Sequence, residues 1–350
     1  MKMRAAVTTA FLLSGPLPIR PLCDLVHDYG NALDGNCLHV LAGYPHGVRV
    51  LAVIPGGKLA AADYTVIHIW DTASGERIHT LKGHTKVIWN LVVMQGQFLV
   101  SAAMDKTMCI WDTVSGLRVT KVNSPFGYSD LVVWGGYLAV AAGPTVRLWD
   151  QETRSWMRTL EGHTSTVTVL AGTPSMLASG SRDYTVRVWD ESGELQRLKG
   201  HTHIVYGLVP LPDDRLASSA SDCTVRVWDM LTGLCLFTLE GHTRSVDKLA
   251  FNGKLISGSH DKTLRVWDIT NGACLYTLAG YGQGVRGMAV MPGGMLASCS
   301  ADKKVQVWDL EAGVLFRELF GHEDELMAVI ALPDGQIASG SLDRTVRVWG

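Results

Sequence analysis

The chain has 350 residues, 47% of them hydrophobic and 18% charged, with a formal net charge of −2 at pH 7. Such a chain can bury a large core, and its near-neutral balance excludes the concentrated basic surface that a nucleic-acid or anionic-membrane partner requires. The seven cysteines are odd in number and form no C-x-x-C pair, so neither a zinc site nor a disulfide framework is expected, and reduced thiols in a cytoplasmic (alternatively nuclear) protein are.

Residues 1–34 differ in character from the rest of the chain. "MKMRAAVTTAFLLSGPLPIR" has a basic start and a short apolar run. Two threonines interrupt that run and no A-x-A site comes after it, so a secretion or transit signal is not expected. No stretch of the chain approaches the length of a transmembrane helix. The segment reads as an N-terminal extension.

From Gly35 onward the sequence repeats. "WD" recurs at Trp70, Trp111, Trp149, Trp189, Trp228, Trp267 and Trp308, and an eighth copy, Trp349-Gly350, ends the chain. The steps between these tryptophans are 41, 38, 40, 39, 39, 41 and 41 residues, a period that points to one supersecondary unit per repeat. A "GH" pair precedes five of them, at His84, His163, His201, His242 and His322; Tyr44, Ser124 and Tyr281 hold the histidine's place in units 1, 3 and 7. Within a unit, runs such as "LASGS" and "TVRVW" predict short strands. "SRDYT" and "WDESGE" carry the Asp, Ser and Gly of tight turns, and no helical period appears. Cys37, Cys235 and Cys274 recur in one context ("NCLHVL", "LCLFTL", "ACLYTL") and predict a small apolar packing position.

One stretch, Gly162–Asp190, contains His163, Ser179 and Asp183, the residue types of a nucleophilic triad. The same set recurs as His84, Ser101, Asp105; His201, Ser218, Asp222; His242, Ser257, Asp261; and His322, Ser339, Asp343. A hydrolase needs one site, not five copies at one repeat position, so the set answers a repeated structural need.

The period, the GH and WD pairs and the "S-x-D-x-T-V-R-V-W-D" runs resemble the WD-repeat β-propellers, over residues 36–350. The resemblance implies a closed, all-β propeller of four-stranded antiparallel blades. It also implies that the turn aspartate, the GH histidine and the serine are linked to the indole N–H of Trp111, Trp189, Trp228, Trp267 and Trp349. Units 1, 3 and 7 lack parts of this clamp, and units 1 and 3 are expected to be the least rigid. Eight units imply eight blades, with seven as the alternative if unit 1 or unit 3 is extruded. In the family each repeat supplies the outer strand of one blade and the inner strands of the next. Residues 321–349 therefore need an outer strand, which 36–42 should supply by closing the ring, making 35–350 one domain.

The expected function is a non-catalytic scaffold for protein or peptide partners, probed through its loops because the fold alone names no function. The alternative is a substrate-recognition subunit of a ubiquitin ligase or similar assembly. Against that alternative, residues 1–34 are too short for an F-box, and no WD copy continues as WD-x-R. Strand alternation puts the GH loops and the aspartate turns on one face. Around the central opening, units 8, 1 and 2 then present Leu342, Met327, Arg49, Trp89 and Met104, an arc rich in interface residue types. Arg182 and Tyr206 are secondary contacts. Arg49, Arg182 and Arg286 lie in units 1, 4 and 7, too far apart for the converging donors that capture a phosphate. Arg187, Arg226 and Arg347 recur by repeat and should lay their stems on the blades with heads in water. Catalytic, metal and cofactor sites are not expected: "HTH" at His201–His203 is already committed to the repeat, and "PGGKLA" lacks the P-loop spacing. The partner is another protein, with the propeller a monomer inside a larger complex.

Overall fold

The computed structural model describes residues 36–94 and 97–350. They form eight four-stranded antiparallel sheets, and a single 3₁₀ turn at Pro292–Gly294 is the one helical segment among them. The number of blades is therefore eight, and units 1 and 3 each build a complete blade.

Blade 1 runs Val50–Ile54, Lys58–Ala62, Val66–Asp71 and Arg77–Lys82, from the centre outward. Blades 2 to 7 repeat this order in sequence. Blade 8 has Leu326–Ala331, Ile337–Ser341 and Val346–Trp349 as its inner strands, and its outer strand is Cys37–Leu41 from the other end of the chain. Cys37 pairs with Trp349 and Leu41 with Val346. That pairing covers two strand edges that would otherwise template association with other chains.

The burial pattern explains why these sequences make blades. In each blade the second strand is sandwiched on both faces, and Leu177–Ser181, Leu255–Ser259 and Ile337–Ser341 are buried throughout. Only small residues and short aliphatics fit there, hence "LASGS". The outer strands alternate and carry the exposed polar residues.

The cores lie between blades rather than within them. One cluster joins Ile67 and Ile69 of blade 1 to Leu99 and Trp111 of blade 2. A second joins Ala297 and Val307 of blade 7 to Ile337 and Trp349 of blade 8. A third joins Ala338 and Val348 of blade 8 to Leu51 and Trp70 of blade 1. Packing is thus continuous through the seam where the chain ends meet. At that seam a Cβ on Gly47 would lie 2.6 Å from the Leu342 Cα, so only glycine lets blades 8 and 1 approach.

Candidate partner-binding face

The five His–Ser–Asp sets have the hydrogen-bond geometry of a triad. In unit 4 the His163 Nδ1 lies 2.8 Å from the Asp183 carboxylate and its Nε2 lies 2.9 Å from Ser179 Oγ. A carboxylate can only accept, so Nδ1 carries the proton and Nε2 accepts from the serine hydroxyl. The serine oxygen in turn accepts the Trp189 indole N–H at 2.8 Å. The same bonds, at 2.7–3.3 Å, join Asp105, His84, Ser101 and Trp111; Asp222, His201, Ser218 and Trp228; Asp261, His242, Ser257 and Trp267; and Asp343, His322, Ser339 and Trp349. All five serines are fully buried and capped by an indole, so no substrate carbonyl reaches them.

The electrostatics fit a static clamp. Burial pulls the His84, His242 and His322 imidazoles below their ordinary value, against the opposing pull of their aspartates. Burial pushes the Asp183 carboxyl up, but hydrogen bonds from His163, Thr185 and the Thr164 amide outweigh it and hold the group well below the usual carboxylate range. The Thr164 amide bond, 2.9 Å, also ties the GH loop to the aspartate turn, so both lie on one face.

Units 1 and 7 solve the problem differently, and the sequence expectation for unit 1 needs correcting. Its indole is not left without an acceptor: Trp70 Nε1 donates to the Tyr44 hydroxyl at 2.6 Å. In unit 7 Trp308 donates to the Tyr281 hydroxyl at 2.8 Å and to Ser298 Oγ at 3.0 Å. A phenol reaches where the imidazole–serine relay would end. Unit 3 alone loses the clamp. Val140 takes the serine's register position opposite Arg147, as Ser179 stands opposite Arg187. The buried Trp149 Nε1 has no hydrogen-bond partner.

The repeat arginines also depart from expectation, because their heads are held against the blade rather than free in water. Arg187 is only 5% exposed. The Arg226, Arg265 and Arg347 guanidinium carbons sit 5.8–5.9 Å from the Trp228, Trp267 and Trp349 ring centroids. A Cβ on the preceding GH glycine would meet the same guanidinium: Gly241, at φ +136°, would place one 2.5 Å from Arg265 Nη1. At Gly241 and Gly321 glycine is thus required both by a positive φ and by the cation stacked on the tryptophan, and at Gly200 by the cation alone. The Cys235 and Cys274 thiols are exposed, not packed. They accept from Arg226 and Arg265 Nη1 at 3.5 and 3.6 Å, as Cys37 does from Arg347 at 3.6 Å.

On the loop face the seven sequence-predicted contact residues divide. Trp89 and Met104 are 49% and 48% exposed, and Arg182 is exposed. Arg49, Tyr206, Met327 and Leu342 are half-buried. Leu342 lies against Gly47. The Arg49 guanidinium lies over the Tyr64 ring, 5.3 Å from its centroid.

Sequence reasoning missed three residues beside Trp89 and Met104. Tyr64 O accepts the Ile88 amide at 2.9 Å, so it adjoins Trp89. Lys106 comes directly after the turn aspartate in the left-handed region, φ +63°. Phe126, 50% exposed, rests on Gly143 in the shortened turn of unit 3. A signal for Lys106 was available, since Tyr184, Cys223, Lys262, Lys303 and Arg344 hold the same position after their aspartates with φ of 67–71°. Among the described residues no cluster of His, Cys, Asp or Glu has metal-holding geometry.

Comparison with known proteins agrees with this architecture. The family model described as "WD domain, G-beta repeat" matches residues 75–112, 154–190, 192–229, 233–268, 272–309 and 313–350. Nuclear distribution protein PAC1 of Arthroderma benhamiae is 31% identical over 193 residues, covering 47% of this chain and 41% of its own length. Periodic tryptophan protein 2 of Arabidopsis thaliana is 34% identical over 214 residues, covering 57% and 24%. Pre-mRNA-processing factor 19 of Oryza sativa subsp. japonica is 31% identical over 171 residues, covering 45% and 32%. The chain spans less than half the length of these curated relatives. Among solved structures, the computationally designed Ika8 protein superposes with a TM-score of 0.82 at 30% identity, covering 89% of this chain and 99% of its own.

Proposed function

We propose that this chain, which belongs to the WD40-repeat family, is a non-catalytic platform that binds a protein or peptide partner on the face formed by its GH loops and aspartate turns. Five blades are held by buried, fully paired clamps that leave no reactive group open. The observation that carries the choice of face is the half-exposed Trp89 beside the half-exposed Met104. Tryptophan is among the residue types most enriched in binding hot spots. Arg49, Met327 and Leu342 continue the same arc across the seam, and Arg182 and Tyr206 stand farther round the ring as secondary contacts.

The test is affinity purification from cells with mass spectrometry, comparing the wild type with a Trp89→Ala, Arg49→Glu double variant that melts like the wild type. Partners captured by the wild type and lost from the variant are the expected result. Partners that persist on the variant place binding on another surface and refute the choice of face.

A further inference from the structure

We propose that the loop-face sector spanning blades 1 to 3 binds an extended acidic peptide segment that carries a large apolar side chain. This rests on the platform function above and adds to it the extent of the site and the chemistry of its partner.

The sector is a continuous strip, traceable bond by bond. Arg49 and His46 both lie on Tyr64, the guanidinium at 5.3 Å and the imidazole at 4.8 Å from its ring centroid. Tyr64 O accepts the Ile88 amide at 2.9 Å, which brings blade 1 to the residue beside Trp89. Val87 O accepts the Met104 amide at 2.8 Å, and Lys106 O accepts the Ser124 amide at 3.0 Å. The Met104–Lys106 turn is therefore wedged between Trp89 and Phe126. Lys106 Nζ reaches across to Pro125 O, on the loop into blade 3, at 3.3 Å.

Two independent features of this strip point to one partner chemistry. The first is apolar. On the loops of this face the large hydrophobic side chains that are strongly exposed are Trp89, Met104, Phe126, Tyr184 and Phe320, and three of the five fall in this one sector. The exposed apolar residues on the WD-turn face, Val114 and Leu117 of blade 2 and Leu231 and Leu234 of blade 5, are instead separated by two blades. The second is charge. Arg49, Lys86 and Lys106 make no ion pair among the described residues, and of the Arg49 guanidinium donors only Nη2 has a hydrogen-bond partner, the Tyr64 hydroxyl at 3.4 Å. The acidic groups of the same strip do not face solvent: Asp63 is buried, its Oδ1 accepting the Thr65 and Val66 amides, and Asp105 is bound in its clamp. Exposed loop-face carboxylates lie at Glu323 and Asp324 of blade 8 and at the sector's far edge, at Glu161 before the GH pair of unit 4.

The spacing of the cations decides between ligands. Each sits on a different loop, with an aromatic or methionine side chain between one and the next. A single phosphate needs two or three donors that converge. An extended segment with carboxylates on either side of an apolar anchor meets separated cations and the hydrophobic surface between them at once. Exposed charges chiefly speed encounter and set specificity, and the apolar anchor supplies most of the affinity.

The test is to pan a phage-displayed random dodecapeptide library on the full chain and measure enriched peptides by fluorescence anisotropy. Binding is compared among the wild type, Trp89→Ala with Phe126→Ala, Lys86→Glu with Lys106→Glu, and the opposite-face pair Leu231→Ser with Leu234→Ser, each checked to melt like the wild type. The expected outcome is enrichment of peptides with Asp or Glu flanking a large apolar residue. Their affinity should fall at least about tenfold in either loop-face pair, weaken as salt is raised, and hold in the opposite-face pair. Enriched peptides that are neutral or basic, that require a phosphorylated residue, or that bind the loop-face pairs unchanged overturn the proposal. Peptides lost only from the opposite-face pair overturn both this sector and the choice of face. A failure to enrich any peptide overturns the peptide inference alone, because partners captured from cells and lost from Trp89→Ala, Arg49→Glu would still stand.

Discussion

Unit 3 offers a sharp test of the clamp, because it already lacks one. Seven of the eight repeat tryptophans donate their indole N–H to a hydroxyl at 2.6–2.8 Å. Trp149 does not, since Val140 stands where the others have an acceptor. Val140 is fully buried in a cluster with Tyr128 and Trp149. Val140→Ala deletes about two methyl equivalents, at about 0.8 kcal/mol each plus a small cavity, and should cost about 2 kcal/mol. In an ordinary apolar site serine would be worse than alanine, because its hydroxyl loses water without replacement. Here the hydroxyl introduced by Val140→Ser would meet an indole donor that is itself unsatisfied, and relieving a buried orphan is worth about 1–3 kcal/mol. Val140→Ser should therefore be more stable than Val140→Ala by about 1 kcal/mol, reversing the usual order. For a chain of this size that is a difference of about 1–2 °C in melting temperature, readable by differential scanning calorimetry. The same pair made in a Trp149→Phe background should return to the usual order. A serine variant less stable than the alanine variant in both backgrounds refutes the claim that the missing acceptor is what distinguishes this blade.

The same physics sets three further outcomes. Ser179→Ala strands both the Trp189 indole and His163 Nε2, and should lower unfolding free energy by about 2–4 kcal/mol in chemical denaturation; a loss below about 0.5 kcal/mol would show that water replaces the hydroxyl freely. The His84, His242 and His322 imidazoles and the Asp105, Asp183, Asp222, Asp261 and Asp343 carboxyls are all held below their unfolded values. The stability they contribute is complete above the unfolded imidazole value of about 6.5. It is lost as pH falls, first through the imidazole range and then through that of the carboxyls. Melting temperature should be flat near neutrality and drop on acidification, and a rise between about pH 7 and 5.5 would contradict the assignment. A chain begun at Gly43 loses the strand Cys37–Leu41 and uncovers the edge of Val346–Trp349; light scattering should detect association that the full chain does not show.

The blade number was legible because each repeat announces itself at two fixed points, and those points are where physics leaves least freedom. Tryptophan is the one side chain that fills the inter-blade gap while offering a single donor. The GH glycine stands where the backbone passes against a guanidinium with no room for a Cβ. What the sequence concealed were substitutions of a different kind that serve the same end. Tyr44 and Tyr281 look like losses because a phenol does not resemble an imidazole in a pattern, yet its hydroxyl reaches the indole directly. Arg226 and Arg265 look like exposed strand residues, and only the absence of a Cβ on the GH glycine shows that their heads are stacked. Phe126 was invisible for another reason: its exposure depends on how adjacent loops abut, which no spacing within one repeat encodes.

The departures from the repeat are not scattered evenly around the ring, and this bears on where function resides. A strictly repeated clamp makes all sectors equivalent, and an eightfold surface has no preferred place to bind anything asymmetric. Unit 1 replaces histidine by Tyr44 and shortens its turn to Asp63-Tyr64, which sets the phenol that carries Arg49 on the loop face. Unit 3 replaces the turn aspartate by Gly143-Pro144, and the glycine gives Phe126 its seat. Unit 2, between them, keeps its clamp complete and so holds Trp89 and Met104 on a fixed base. Two of the three irregular blades, 1 and 3, therefore flank the exposed indole of the face and supply the other aromatic rings of the strip, while unit 7, with Tyr281 in place of histidine, lies away from it. Restoring the consensus turn of unit 3 tests whether this coupling is real. Changing Ala142-Gly143-Pro144 to Ser-Arg-Asp-Tyr, with Ser124→His and Val140→Ser to complete the clamp, should raise the melting temperature while taking from Phe126 the glycine it rests on. Acidic peptides selected on the wild type should then bind more weakly to a more stable protein. If stability rises and binding is untouched, the irregularity of blade 3 is a defect the ring tolerates and has no part in recognition.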